Sequence, residues 1–198
     1  QTYYWVGGSG YWNDATHWSL TSGGNPSGYV PGLNSDVIFD NNSLLQSENV
    51  LTIHALQSFG FKSITSLNSN SNIEVIGSPN VDITIKGNVS LNEYFYFKLN
   101  GKINLKPQSS VIYQFSHNKF NNDVYLHSTN SVQLGVFSTS KSLNLSGNFE
   151  LKNSIVFTKD LIVNNSQLQL SQNTFQVSQN IFINNSQFSN PSVLKTNI

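Results

Sequence analysis

The 198-residue chain has no cysteine and no methionine, and its ten basic residues are all lysine. Without cysteine there is no disulfide scaffold, no thiolate metal site and no cysteine nucleophile. Without methionine the chain does not begin at its start codon. Gln1 reads as the first residue after a signal-peptidase cut, which predicts a mature exported protein with its signal peptide removed. Charge is also scarce. Charged residues make up 10% of the chain and balance to zero, whereas an ordinary soluble domain carries about a quarter. The lysines are scattered singly, so no basic stripe for neutralising phosphates can be drawn, and nucleic acid is not an expected partner. No apolar run approaches the ~20 residues of a membrane-spanning helix, and no stretch carries a convincing helical period.

Asparagine and serine fill the place that charge leaves, at about thirty residues each. An aromatic share of 12% argues against a disordered polar tract. The length suits one domain, or one piece of an elongated protein. All three tryptophans, Trp5, Trp12 and Trp18, lie before residue 35 among many glycines. Beyond that point come short alternating runs bounded by Asn, Ser and Gly, which read as strands and turns.

The short strands repeat. Ile83-Thr84-Ile85, Val89-Ser90-Leu91 and Phe95-Tyr96-Phe97 form a trio of triplets. It returns as Leu143–Leu145, Phe149–Leu151 and Ile155–Phe157, then as Leu161–Val163, Leu168–Leu170 and Phe175–Val177. Aligned first positions are Ile64, Ile83, Ile103, Val124, Leu143, Leu161 and Ile181, about twenty residues apart. This spacing predicts an all-β fold, a parallel β-solenoid with three short strands per coil, each strand pairing with its equivalents in neighbouring coils. Parallel crossovers are overwhelmingly right-handed, so a right-handed β-helix is expected. Seven coils at about 4.8 Å would stand roughly 35–40 Å tall.

Triangular coils need tight corners, and Asn tolerates the left-handed conformation found there. Asn164-Asn165 and Asn184-Asn185 occupy equivalent corners and predict stacked amide ladders. Asn-x-Ser signals such as Asn88-Val89-Ser90 arise by chance in so Asn- and Ser-rich a chain. An open coil end invites edge pairing. Residues 1–35, with Tyr3, Tyr4, Trp5, Trp12, Trp18 and Tyr29, are the expected N-terminal cap, and residues 36–198 the solenoid, starting at the strand Asp36-Val37-Ile38-Phe39-Asp40. The closing Ser192–Ile198 forms no recognisable element, which reads as the front of a longer protein.

The opening Tyr3-Tyr4-Trp5-Val6-Gly7-Gly8-Ser9-Gly10, then Trp12, Asp14 and His17-Trp18-Ser19, with Val30-Pro31-Gly32 leading into Asp36–Asp40, carries a resemblance. It resembles the mature N-terminus of large cell-surface proteins of the Bacteroidota, giant adhesins and gliding-motility surface proteins exported by the type IX secretion system. The specific match covers about the first 40 residues. It implies the type IX outer-membrane export machinery as a partner, an extracellular, cell-surface location, and Trp5, Gly7, Gly8, Gly10, Trp12, Asp14, His17 and Trp18 as motif residues. Substrates of that system carry a C-terminal sorting domain, which this chain does not show.

Parallel β-helices also host polysaccharide lyases and hydrolases, which use clustered carboxylates. Asp82, Asp123 and Asp160 each precede the first triplet of a coil. They read either as a carboxylate column or, as we favour, as corner acids that cap backbone amides. His17 with Asp14 is the one tempting acid–imidazole pair, and its place in the motif favours a structural role. His54, His117 and His127 have no ligand-like spacing. The GGSG run opens no helix and so cradles no phosphate, and no regular Thr array suggests ice binding. Tyr94, Tyr96, Tyr113 and Tyr125 are candidate exposed glycan contacts. The expected function is therefore non-catalytic and adhesive, toward surface glycans or other surface proteins, with no cofactor and no metal. A carbohydrate-active β-helix enzyme is the alternative.

Overall fold

The computed structural model describes residues 1–68, 71–189 and, as a backbone strand, 193–196. Their only helices are two three-residue 3-10 turns, Ala15–His17 and Asn41–Ser43. The strands stack in parallel as a β-solenoid of about seven turns. Each coil contributes to three faces.

Face 1 carries Phe59–Phe61, Ile83–Ile85, Ile103–Leu105 and Val124–His127. It continues through the middle of the long strands Val136–Lys152 and Ile155–Ser171 and the end of Thr174–Asn184. The rungs run Ile83, Ile103, Val124, Leu143, Leu161 and Ile181 in unbroken register. Successive side chains of a strand alternate, so the inward residues from Ile83 to Val163 are buried, while the outward ones are mixed: Thr84, Asn104 and Asn144 with Tyr125, Ile162 and the exposed Phe182. Each buried Leu, Ile or Phe contributes about 1.5–3 kcal/mol.

Face 2 begins with Thr2–Trp5, which pairs in parallel with Asp36–Phe39, then Ser63–Ser66, Val89–Ser90 and Val111–Gln114. Face 3 begins with Gly10–Tyr11 against Val50–Ala55, then Asn72–Gly77 and Phe95–Lys98. Two expectations are thereby corrected. Asp36–Phe39 is the second rung of its face, and the aromatic segment already supplies the first rungs of two faces. Ile64 belongs to face 2, between Val37 and Val89, while Phe59 is the true face 1 partner of Ile83. The solenoid end is closed by Trp18–Ser19, which runs antiparallel along the free edge of Thr2–Trp5. Taking up that edge removes a template for pairing with other chains.

Two further corrections lie near the other end. Val156, not Ile155, is the inward partner of Phe175, leaving Ile155 43% and Phe157 36% exposed. Val193–Thr196 pairs with Thr174–Val177 as another rung of face 3; Ser192, Asn197 and Ile198 lie outside the described residues.

Face 3 changes partners between Phe95–Lys98 and Lys119–Phe120, which pairs with Ser138 and Thr139. There the buried Asn118 side chain takes the place of a strand. Its Oδ1 accepts from the Phe97 amide at 2.8 Å, and its Nδ2 donates to the carbonyls of Phe95 (2.9 Å) and Phe115 (2.7 Å). Asn122 does likewise for the Leu99 and Gly101 carbonyls. Asn173 accepts from the Ser154 amide and donates to the Leu151 carbonyl. A carboxamide offers the same donor and acceptor as a peptide group, so it can satisfy backbone that a rung would otherwise bond.

Candidate functional site

The motif residues build the closed end. Trp5 and Trp18 are fully buried and Trp12 nearly so. Trp5 Nε1 donates to the Gly8 carbonyl and Trp18 Nε1 to the Trp12 carbonyl, both at 2.8 Å. The rings meet Phe39, Phe59 and Phe61 as an aromatic plug. His17 stacks flat on Trp5, centroids 4.7 Å apart, with Nδ1 2.8 Å from the Val6 carbonyl. A Cβ on Gly10 would overlap that imidazole. Gly7 and Gly8 turn the chain at φ +81° and +75°, and a Cβ on Gly8 would come within 2.6 Å of Glu48. Asp14 accepts from the Thr16 amide and hydroxyl. Those bonds hold its carboxyl below the usual value. Asp14 and His17 thus serve different local partners, and no acid–imidazole pair is hydrogen-bonded here.

Glu48, which sequence reasoning missed, ties this end together. Its carboxylate accepts from the Ser9 amide (2.9 Å) and the Leu45 amide (3.2 Å). Burial opposes its ionisation, but these hydrogen bonds prevail and hold its carboxyl below the ordinary value.

The carboxylates of face 1 serve the same kind of task. Asp82 accepts from the Lys102 amide, Asp123 from the Ser142 amide and hydroxyl, and Asp160 from the Asn180 amide and carboxamide. Each caps the next coil, and the three acids alternate with Lys102 and Ser142 in one column. They therefore sit two coils, about 10 Å, apart. Among the described residues no three His, Cys, Asp or Glu side chains gather as a metal site.

At the corners, Asn184 Nδ2 donates to Asn164 Oδ1 and Asn185 Nδ2 to Asn165 Oδ1, both at 2.9 Å. Asn165 and Asn185 adopt φ of +50° and +47°. The four tyrosines do not form one platform. Tyr113 is fully buried and stacks on Phe115, which corrects its assignment as a glycan contact. Burial pushes its hydroxyl pKa well up. Tyr94 and Tyr96 are half-buried on face 3, whereas Tyr125 is 37% exposed on face 1 under the Lys102 ammonium. Tyr29, at 70% exposure, adds little to the cap.

Two surfaces emerge that the sequence does not announce. The first is a trough of about 460 Å³ on face 2 near the last described coils. In-register Asn148, Gln167 and Gln187 form one bank, and Glu150, Gln169 and Ser189 the other. Its one charged group, Glu150, accepts from the Ser131 hydroxyl at 3.1 Å and lies 3.9 Å from Lys152 Nζ. The second corrects the expectation that no basic stripe can be drawn. Lys62, Lys86 and Lys106 follow the face 1 strands of three successive coils, and His127 ends the fourth at the equivalent position. The Lys62 and Lys86 carbonyls accept from Gly87 and Gln108 of the coils above them.

No helix among the described residues is long and apolar enough to cross a membrane. No protein-family model, curated protein or solved structure matches the chain.

Proposed function

We propose that this chain is a non-catalytic, adhesive solenoid of a secreted cell-surface protein, holding surface glycans on its polar outer faces. The face 2 trough carries the reading. One bank presents carboxamides at three successive rungs, Asn148, Gln167 and Gln187, and the other presents Gln169 between Glu150 and Ser189; a carboxamide offers donors and acceptors matched to sugar hydroxyls. The trough is open and polar, unlike the enclosed, mostly apolar pockets that engulf small molecules. An extended glycan lying along the stack is the ligand such a shape suits. The resemblance of residues 3–19 and 30–40 to type IX-exported adhesins, gliding-motility proteins among them, supports the address and the export partner.

The test is retention on immobilised surface polysaccharides. The variant Gln167→Ala/Gln169→Ala/Gln187→Ala removes several hydrogen bonds of about 0.5–1.5 kcal/mol each. It should weaken retention by about tenfold or more while leaving the unfolding midpoint in place. Unchanged binding in the triple variant, or no glycan retained by the parent, defeats the proposal.

A further inference from the structure

We infer that the corner between faces 1 and 2 is a binding stripe for an acidic polysaccharide, one that bears carboxylates or sulfates along its length. The inference rests on the adhesive reading and names a ligand class for a second surface. Its basis is the column Lys62, Lys86, Lys106 and His127. The chain has only ten basic residues, yet three of them fall at one position of three successive coils, and the next coil puts an imidazole there.

Rungs of a parallel stack lie about 4.8 Å apart, and like charges directly opposite one another on neighbouring strands are unfavourable. Counter-charges within the protein relieve only one end of this column. Lys62 lies 3.9 Å from Asp36, whereas Lys86 and Lys106 make no ion pair among the described residues. The face 1 carboxylates Asp82 and Asp123 stand four residues back along their strands, about 13 Å away. Both are engaged with backbone amides of the next coil. Column positions beyond His127 are the neutral Ser146, Asn164 and Asn184. The result is a one-sign row on an otherwise balanced surface.

The surroundings favour a polysaccharide over a nucleic acid. The row spans about 15 Å, and zero net charge provides no wider field to gather phosphates. Stacking on aromatic rings holds single strands. Of the exposed rings on this face, Tyr125 is already occupied by Lys102 Nζ, 5.4 Å from its centroid, and Phe182 stands three coils further on, beyond the end of the row. Beside the row stand Thr84 and Asn104 in the central column of face 1 and the exposed Asn88 just past the corner. Asn104 Nδ2 and Asn88 Oδ1 already bond the backbone, and the remaining donors and acceptors of these groups suit hydroxyls; a repeating cation per coil suits a ligand with a repeating anion.

The experiment measures retention of the whole chain on polygalacturonate, a sulfated glycan, neutral dextran and single-stranded DNA, across a salt series. The variants are Lys86→Gln/Lys106→Gln and, with the same change in charge elsewhere, Lys119→Gln/Lys159→Gln. Acidic polysaccharide should bind with a log–log salt slope of about −2 to −3. The first variant should bind it at least tenfold more weakly, and the second within twofold of the parent. Equal loss in both variants, or no binding of either acidic glycan, overturns the stripe. If neutral glycan is still retained in that case, the adhesive reading stands without it. DNA bound as tightly as polygalacturonate overturns the choice of ligand. Circular dichroism melts keep either loss from being mistaken for unfolding.

Discussion

Replacing Asn118 with leucine keeps the volume and removes the carboxamide that stands in for a strand. Two buried groups lose their partner: the Phe97 amide and the Phe95 carbonyl. The Phe115 carbonyl keeps the Asn118 backbone amide at 3.2 Å. A buried polar group left unpaired costs about 1–3 kcal/mol. Two of them, less what the apolar side chain regains by burial, amount to a loss of about 3 kcal/mol. For a chain of this size that lowers Tm by about 6–12 °C. Asn118→Asp keeps one acceptor for Phe97 but turns an oxygen toward the Phe95 carbonyl, so it should do no better. By contrast, Asn184→Ala, at an exposed corner amide bonded at 2.9 Å to Asn164 and free of positive φ, should cost less than about 1 kcal/mol. Urea and thermal melts of the three variants decide the matter. Asn118→Leu within 1 kcal/mol of the parent would refute the idea that the side chain completes the ladder.

Gly10→Ala drives a methyl into the His17 ring stacked on Trp5; it should destabilise by about 1–3 kcal/mol and shift the tryptophan emission to the red. Glu48 has a lowered carboxyl pKa in the fold, so the stability it contributes is complete above its unfolded value. That stability fades as pH falls through the folded value. Glu48→Gln should therefore lower the melting temperature at pH 7 and narrow its drop on acidification; an unchanged acid limb would count against the tie to Ser9. The Tyr113 hydroxyl is buried with no protein partner among the described residues, so Tyr113→Phe should be neutral or stabilising by up to about 1 kcal/mol. A loss larger than that would reveal a hydrogen bond.

Much of the fold was legible because a period of about twenty with alternating triplets has few physical solutions. From Ile83 onward the face 1 column could be aligned by eye, and the corner asparagines follow from the need for positive φ. The early coils hid their register. Phe59-Gly60-Phe61 has glycine at its outward position, so it does not look like a strand, and Ile64 is the more obvious candidate. Where both alternations are apolar, sequence cannot choose between them. In Val111-Ile112-Tyr113 the isoleucine faces out at 52% exposure and the tyrosine is buried. Ile155-Val156-Phe157 hides its single inward residue in the same way. The lysine row was illegible for a different reason, since residues 62, 86 and 106 become neighbours only after the coils are in register. Internal asparagines such as Asn118 look like any other turn residue until the missing rung is seen.

Whether the chain holds glycan without transforming it is tested most directly by sizing the polysaccharide it retains best, before and after prolonged incubation with excess protein. Light scattering gives the chain length, and ultraviolet absorbance reports unsaturated uronate ends. We predict that the polysaccharide is retained and recovered at its original length with no new ends. Shortened chains or unsaturated ends would contradict the passive, adhesive account and return the fold to the carbohydrate-active enzymes.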